Sequence, residues 1–123
     1  MSISDYLELK LLGAVFNAAS YVSASAWVSL HTAAVGEDGS NEATGGDYVR
    51  KSVVFDTAAA GAAENTNAIE WTGMPACNIT DVGIWEASAA GNFLWGGALS
   101  ASKAVNAGDT FQIAASGLDI TLG

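Results

Sequence analysis

The sequence has few of the residues that build covalent, metal or catalytic centres. Its 123 residues include one cysteine, Cys77, and one histidine, His31. A single cysteine forms no internal disulfide, so the fold does not depend on an oxidising compartment. A lone imidazole has no second histidine with which to share a metal ion, and we interpret His31 as a structural group within a strand. We therefore predict no cofactor and no metal site.

Positive charge is also scarce. Four Lys and Arg side chains stand against thirteen Asp and Glu side chains, and the formal net charge is −9. So acidic a chain is repelled by a phosphate backbone, and we expect no nucleic-acid partner. The apolar runs fall far short of the roughly 18 residues that a membrane span needs. Asp5 and Glu8 interrupt the position where a signal peptide would be apolar, so we expect no membrane partner and synthesis in a cytoplasm.

One segment near the start has helical periodicity. Leu7, Leu11 and Val15 recur at a spacing of four, and Ser2-Ile3-Ser4-Asp5 matches a loose capping pattern. The spacing predicts an amphipathic helix over residues 2–17. We expect Leu7, Leu11 and Val15 to be buried, either on the protein's own sheet or against a neighbouring subunit, and we include them in a candidate interaction surface.

The rest of the chain has the period of β structure. Val28 and Leu30 alternate with Trp27, Ser29 and His31, as in a strand with one buried face. Further short apolar runs follow, separated by turns rich in Gly and Asn. This pattern predicts a mainly β fold, an antiparallel β-sandwich or jelly roll over residues 26–122 with one N-terminal helix. The length fits a single domain, residues 1–123.

The segment GEDGSNEATGG, residues 36–46, is a candidate ligand loop. Its carboxylates are ligands for a hard cation such as calcium, but the spacing of an EF-hand loop is absent. No lysine follows at the spacing of a phosphate-binding loop. We interpret the segment as an exposed, mobile connection that needs no metal, with a calcium site as the alternative. Glu37, Asp38 and Glu42, with Asp47 just beyond, complete the candidate interaction surface.

No set of residues in the sequence supports catalysis. Cys77 follows a turn and leads into a β run, which favours a small buried hydrophobe over a nucleophile. No serine lies in a G-x-S-x-G elbow. A carboxylate pair drawn from Glu70, Asp81 and Glu86 is the basis for a minor hypothesis, a small glycosidase-like hydrolase. We predict that the protein is not an enzyme. The four tryptophans lie in strand patterns, which favours core packing over sugar stacking.

A composite motif runs through residues 29–55, SLHTAAVGEDGSNEATGGDYVRKSVVF. It combines L-H-T-A, P/V-G-x-x-G-x-N-E, G-G-x-Y-x-R and V-x-F. With the opening YLELKLLGAVF and the later ITDVGIWEASAAGNFLWGGALSASKAVNAGDTFQI, the chain resembles short virion proteins of tailed bacteriophages, which are called virion or tail-fibre-like proteins. Val35 stands where that family frequently has proline, a departure that we expect to change only the stiffness of the loop.

The resemblance implies a component of a phage particle, made in the cytoplasm of the host bacterium. We favour a capsid decoration (cement) protein on the outer capsid surface, whose partner is the major capsid protein, because a small domain without disulfides or a catalytic set suits that role. Such a protein stabilises the assembled shell by mass action. A homotrimer or other homo-oligomer is expected, since a trimer fits local threefold positions. The alternative is a tail-fibre or receptor-binding module that recognises the host surface.

Overall fold

The computed structural model describes residues 2–22 and 25–121. Within these ranges the fold is mainly β, with antiparallel sheets and one N-terminal helix, which confirms the predicted fold class. Residue 122, the predicted end of the β region, lies outside the described residues. The elements in chain order are β1 (Ser2–Ile3), α1 (Asp5–Phe16), β2 (Ala26–His31), β3 (Lys51–Val53), β4 (Ala62–Glu64), β5 (Ile69–Trp71), β6 (Cys77–Trp85), β7 (Phe93–Val105), β8 (Phe111–Ile113) and β9 (Asp119–Thr121).

A five-stranded sheet organises the fold. Its strand order is β1-β7-β6-β2-β3, and two further antiparallel pairs, β4-β9 and β5-β8, lie outside it. β2 and β6 are neighbours in this sheet and are in register at Val28↔Ile84 and Leu30↔Val82. All four of these side chains are buried, because alternate residues of a strand point to the same face. This face carries the main core.

The opposite face of the sheet carries a second, smaller core. It consists of Val35, Trp85 and Phe93. The rings of Trp85 and Phe93 meet edge to face with their centroids 5.2 Å apart, a favourable geometry for aromatic pairs. β6 is therefore covered on both faces near its end, and every residue from Asp81 to Trp85 is buried.

The N-terminal helix begins later than the sequence predicts. Ser2–Ile3 forms β1 and pairs with β7, so α1 begins at Asp5 rather than at residue 2. The N-cap is Ser4, whose Oγ accepts a hydrogen bond from the Leu7 amide at 3.3 Å and donates one to the Phe93 carbonyl at 2.6 Å. One hydroxyl thus both caps the helix and ties its first turn to β7.

The predicted buried face of the helix is only partly buried within the chain. Leu7 and Leu11 are half-buried, and Leu7 packs against the main core. Val15 is 71% exposed, so the expectation that it packs on the protein's own sheet is wrong. The reason is the docking of α1 through its first turn, which leaves the second half of the helix beyond the reach of the core. No residue of α1 is fully buried.

Candidate interaction surfaces

The loop of residues 36–46 is held to the sheet at its middle and at its end. Gly39 is buried at φ +74°, and a Cβ at this position would lie 2.3 Å from the Trp85 ring. Ala43 is also buried, and its amide donates to the Leu30 carbonyl at 2.8 Å. The prediction of an exposed loop is correct for Glu37 and Asp38 but wrong for Gly39 and Ala43. Gly39 packs against the rings of the smaller core, and Ala43 belongs to the main core.

His31 belongs to a buried hydrogen-bonded network beneath this loop. Its Nδ1 donates to the Ser40 carbonyl at 2.7 Å, so Nε2 is the acceptor for the Ser29 hydroxyl at 2.6 Å. The Ser29 oxygen in turn accepts from the indole nitrogen of Trp85 at 2.8 Å. A hydrogen-bonded serine and histidine are also the parts of an activated nucleophile. Here both residues are 0% exposed, so no substrate reaches the hydroxyl, and His31 is the structural group that the sequence predicts.

Glu42 and Arg50 form a clamp beside the network. The Arg50 Nη2 lies 2.9 Å from the Glu42 Oε1, and its Nη1 donates to the carbonyls of Ala87 and Ala90. The guanidinium also lies 3.7 Å from the centre of the Trp85 ring, a cation–π contact. Burial would raise the pKa of Glu42, but hydrogen bonds from Arg50 and Tyr48 outweigh it and hold that pKa below its usual value. The Glu42 carboxylate therefore serves to stabilise the fold.

The predicted acidic surface is therefore divided into separate parts. Glu37 accepts a hydrogen bond from the Asp5 amide at 3.0 Å, where its charge stabilises the N-terminus of α1. Asp38 is exposed and accepts from the Ser40 hydroxyl at 2.6 Å. Asp47 is exposed and faces Gly73, where a Cβ would lie 2.4 Å from its Oδ2. Glu37 lies next to the helix, whereas Glu42 is part of the clamp.

The apolar surface of α1 that is most open to solvent overlaps the predicted interaction surface only at Val15. Leu9, Leu12, Val15 and Phe16 are 71%, 54%, 71% and 75% exposed, and we call these four residues the apolar helix face. Val22, 88% exposed, follows a few residues later. Apolar side chains that cluster at the surface mark contacts with other molecules. Leu12 and Phe16 widen the predicted stripe of Leu7, Leu11 and Val15 at helical spacing, and only Leu9 lies outside that stripe.

An apolar groove of about 240 Å³ lies on the other side of α1. Its lining includes Leu7, Phe55, Trp95 and Ile120 and has no polar residue. The indole nitrogen of Trp95 is buried without a hydrogen-bond partner in the described part of the chain. Because this nitrogen has almost no accessible surface, a molecule in the groove would not reach it. The groove offers no polar group to orient a ligand, and we interpret it as a packing feature.

The described residues lend no support to a reactive cysteine or a metal site. Cys77 is half-buried against the main core, and burial raises the pKa of its thiol, which lowers its reactivity. Within residues 2–22 and 25–121, no cluster of three or more His, Cys, Asp or Glu side chains is placed to hold a metal ion. No helix in the described part of the chain has the length and apolar character needed to cross a membrane. Three tryptophans are buried as predicted, at positions 71, 85 and 95.

A comparison with known families identifies the class of protein. The matched family consists of phage virion proteins, and the match spans residues 2–121, so this chain is a phage virion structural protein. The family is described as podophage GP4 fiber I protein gp80, and the chain belongs to it. The resemblance to short phage virion proteins is confirmed at this level. A comparison with curated proteins gives no match.

Proposed function

We propose that the protein is a structural subunit of a phage fibre and that it acts by binding other virion proteins, without catalysis. The observation that carries the proposal is the apolar helix face. It lies on a protein that is otherwise acidic and well packed, and exposed apolar clusters of this kind are typical of protein–protein contacts. The description of the family as a fibre protein supports the same function.

A structural function also agrees with how the reactive groups are used. The Ser29 hydroxyl and the His31 imidazole are enclosed, and the Glu42 carboxylate is paired with Arg50. Each of these groups stabilises the loop of residues 36–46 or the strands beside it. We propose that none of them takes part in a reaction.

Capsid decoration, the function that the sequence favours, is the second candidate. Its support is the exposure of Glu37, Asp38 and Asp47 on a chain of net charge −9, which suits a basic surface on the major capsid protein. Exposed ion pairs contribute only about 0.2 to 1 kcal/mol each, so such a contact would also need apolar side chains. In this case the protein would lie on the outer surface of the capsid.

The number of copies per virion separates the two candidates. Quantitative mass spectrometry of purified virions, with the major capsid protein as the internal standard, gives this number directly. A fibre subunit is expected in a handful to a few dozen copies, and electron microscopy of the virion should place its density in a fibre. Hundreds of copies spread over the shell would reject the fibre function and establish decoration.

A further inference from the structure

We propose that α1 binds a second copy of this chain, with the apolar helix face of one copy packed on the same face of the other. The proposal rests on the proposed function, because a fibre or a shell layer brings identical subunits together. Three features of the molecule support it: the spacing of the apolar residues, the distribution of charge and the weak packing of the second half of the helix within its own chain.

The spacing of the face suits another helix. Leu9, Leu12 and Phe16 follow each other at intervals of three and four residues, which is the repeat of a helix–helix seam. Val15 widens the seam by one position. The repeat continues only over the length of α1, so it describes a short contact between two helices and not an extended coiled coil. An interface around a twofold axis needs a surface complementary to itself, and an apolar helical stripe meets that need.

The distribution of charge selects an identical partner over a basic one. The chain has a net charge of −9, yet residues 11–36 contain no Asp, Glu, Lys or Arg. Lys10, just before this stretch, lies over the ring of Tyr6 at 5.4 Å. Two acidic copies repel each other over most of their surface, and the uncharged second half of α1 lets them approach there at a low electrostatic cost. A basic partner would be attracted to the acidic surfaces elsewhere and would gain no charge contact at the apolar helix face.

The second half of the helix has little packing within the chain. Isolated helices shorter than about 12 to 15 residues are marginal in water, and α1 has 12 residues. Ser4 fixes its first turn, but Leu12, Val15 and Phe16 in its second half are open to solvent. The helix ends at Phe16, and Ala18 just beyond it has a left-handed conformation, φ +53°. A second helix on this face would supply the tertiary contacts from which protein helices usually gain their stability.

The length of the helix limits the strength of the contact. Its 12 residues span about 18 Å. A pair of helices of this length buries less than the roughly 800 Å² per partner of a standard stable interface. We therefore expect weak, concentration-dependent association of the purified protein. In the virion, several such contacts made at once give a stable arrangement through avidity.

The first experiment is sedimentation velocity over a wide range of protein concentration. Leu12→Glu and Phe16→Glu place a carboxylate in the apolar helix face, and both positions are exposed enough for the chain to fold. Val54→Glu is the matched control, since Val54 is 66% exposed and does not belong to the apolar helix face. The wild type and Val54→Glu should associate alike, and the helix variants should have a dissociation constant at least tenfold higher. Equal association of all four proteins, or no association of the wild type, would overturn the proposal for the purified protein.

The second experiment tests the contact in the assembled virion. Virions carrying Val15→Cys in a Cys77→Ser background are treated with a short bis-maleimide cross-linker, and Val54→Cys in the same background is the control. Cross-linked dimers of this chain should form from Val15→Cys and not from Val54→Cys. A cross-link to a different virion protein, or no cross-link, would reject the second copy as the partner. The copy number per virion is measured independently, so the fibre function stands or falls separately.

Discussion

The smaller core and the apolar helix face show opposite uses of similar side chains. Around Trp85 the chain encloses its apolar rings and satisfies the hydrogen bonds of Ser29 and His31. On α1, Leu12 and Phe16 are more than half exposed and no residue is fully buried. The first region is complete within one chain, whereas the second lacks a partner there. On our proposal, the first region serves folding and the second serves assembly.

The largest effect should come from filling the space at Gly39. A Cβ there would meet the Trp85 ring at 2.3 Å, at a positive φ that costs a non-glycine residue about 1 to 2 kcal/mol in addition. Gly39→Ala should lower the free energy of unfolding by about 3 kcal/mol or more, measured by urea unfolding. Gly108→Ala is the matched control, because Gly108 has φ +86° with nothing near its would-be Cβ. Equal losses in both variants would mean that the loop is not packed on the smaller core.

The clamp should give the next largest effect. Arg50→Met keeps an unbranched stem but leaves the Glu42 carboxylate without its cation, and the side chains of Arg50 and Glu42 are only 8% and 24% exposed. We expect a loss of about 2 to 4 kcal/mol in the free energy of unfolding. The double variant Glu42→Gln, Arg50→Met should recover part of this loss, because no unpaired charge remains. A loss below 0.5 kcal/mol for Arg50→Met would class the pair with ordinary surface ion pairs.

Acidification should weaken the same region. Burial lowers the pKa of His31 below its ordinary value of 6.5, although the Ser40 carbonyl, Glu42 and Asp81 oppose this shift. The unfolded chain therefore takes up a proton that the folded chain does not. Stability should be fully present above pH 6.5 and should fall as the pH drops from there to the folded-state pKa, by at most about 1.4 kcal/mol per pH unit.

Chemical unfolding at several pH values between about 5 and 8 measures this slope. His31→Gln should flatten it, whatever its own stability. The loss linked to Glu42 falls in a separate, more acidic window, because its folded-state pKa lies below 4.5. An equal slope in the His31→Gln variant would show that His31 is not the group responsible.

On α1, replacing an apolar side chain of the apolar helix face by a carboxylate should leave the stability of the single chain almost unaltered. Leu12 is 54% exposed, so Leu12→Glu removes little buried surface, and exposed substitutions usually stay within about 0.5 kcal/mol. The measurement is thermal unfolding at the lowest workable concentration, where the chain is monomeric. A loss of several kcal/mol would place Leu12 inside the chain's own core.

Chelation should have the smallest effect of all. The carboxylates of Glu37 and Glu42 point to the Asp5 amide and to Arg50, so they are not gathered around a common point. Addition of a chelator should leave the melting temperature and the association of the protein unchanged. A fall of several degrees would establish the alternative, a calcium site in residues 36–46.

Patterns within single elements were predictable from the sequence. The alternation around Val28 and Leu30 predicted a strand, and that strand is β2. The existence of the helix was equally predictable, but its first residue was not, because β1 pairs with a strand far away in the chain. The short strand Ala62–Glu64 gave no β signal, since alanine has a low β propensity, and it exists through pairing with β9.

The candidate interaction surface was likewise predictable in part: the kinds of residue could be predicted, but their contacts could not. The spacing of apolar residues in α1 predicted a broad apolar stripe on the helix. It did not predict which of these side chains would be exposed. Glu42 belonged by composition to the acidic loop, and the fold paired it with Arg50.

The sequence by itself determined a mainly β chain with one helix, an acidic character and a phage virion resemblance, because periodicity, charge and motif are local properties. Only the tertiary structure decided that Gly39 is buried, that His31 is enclosed and that Leu9, Leu12 and Phe16 are exposed. Burial and pairing depend on residues brought together from distant parts of the chain. Those contacts cannot be deduced from the local sequence pattern alone.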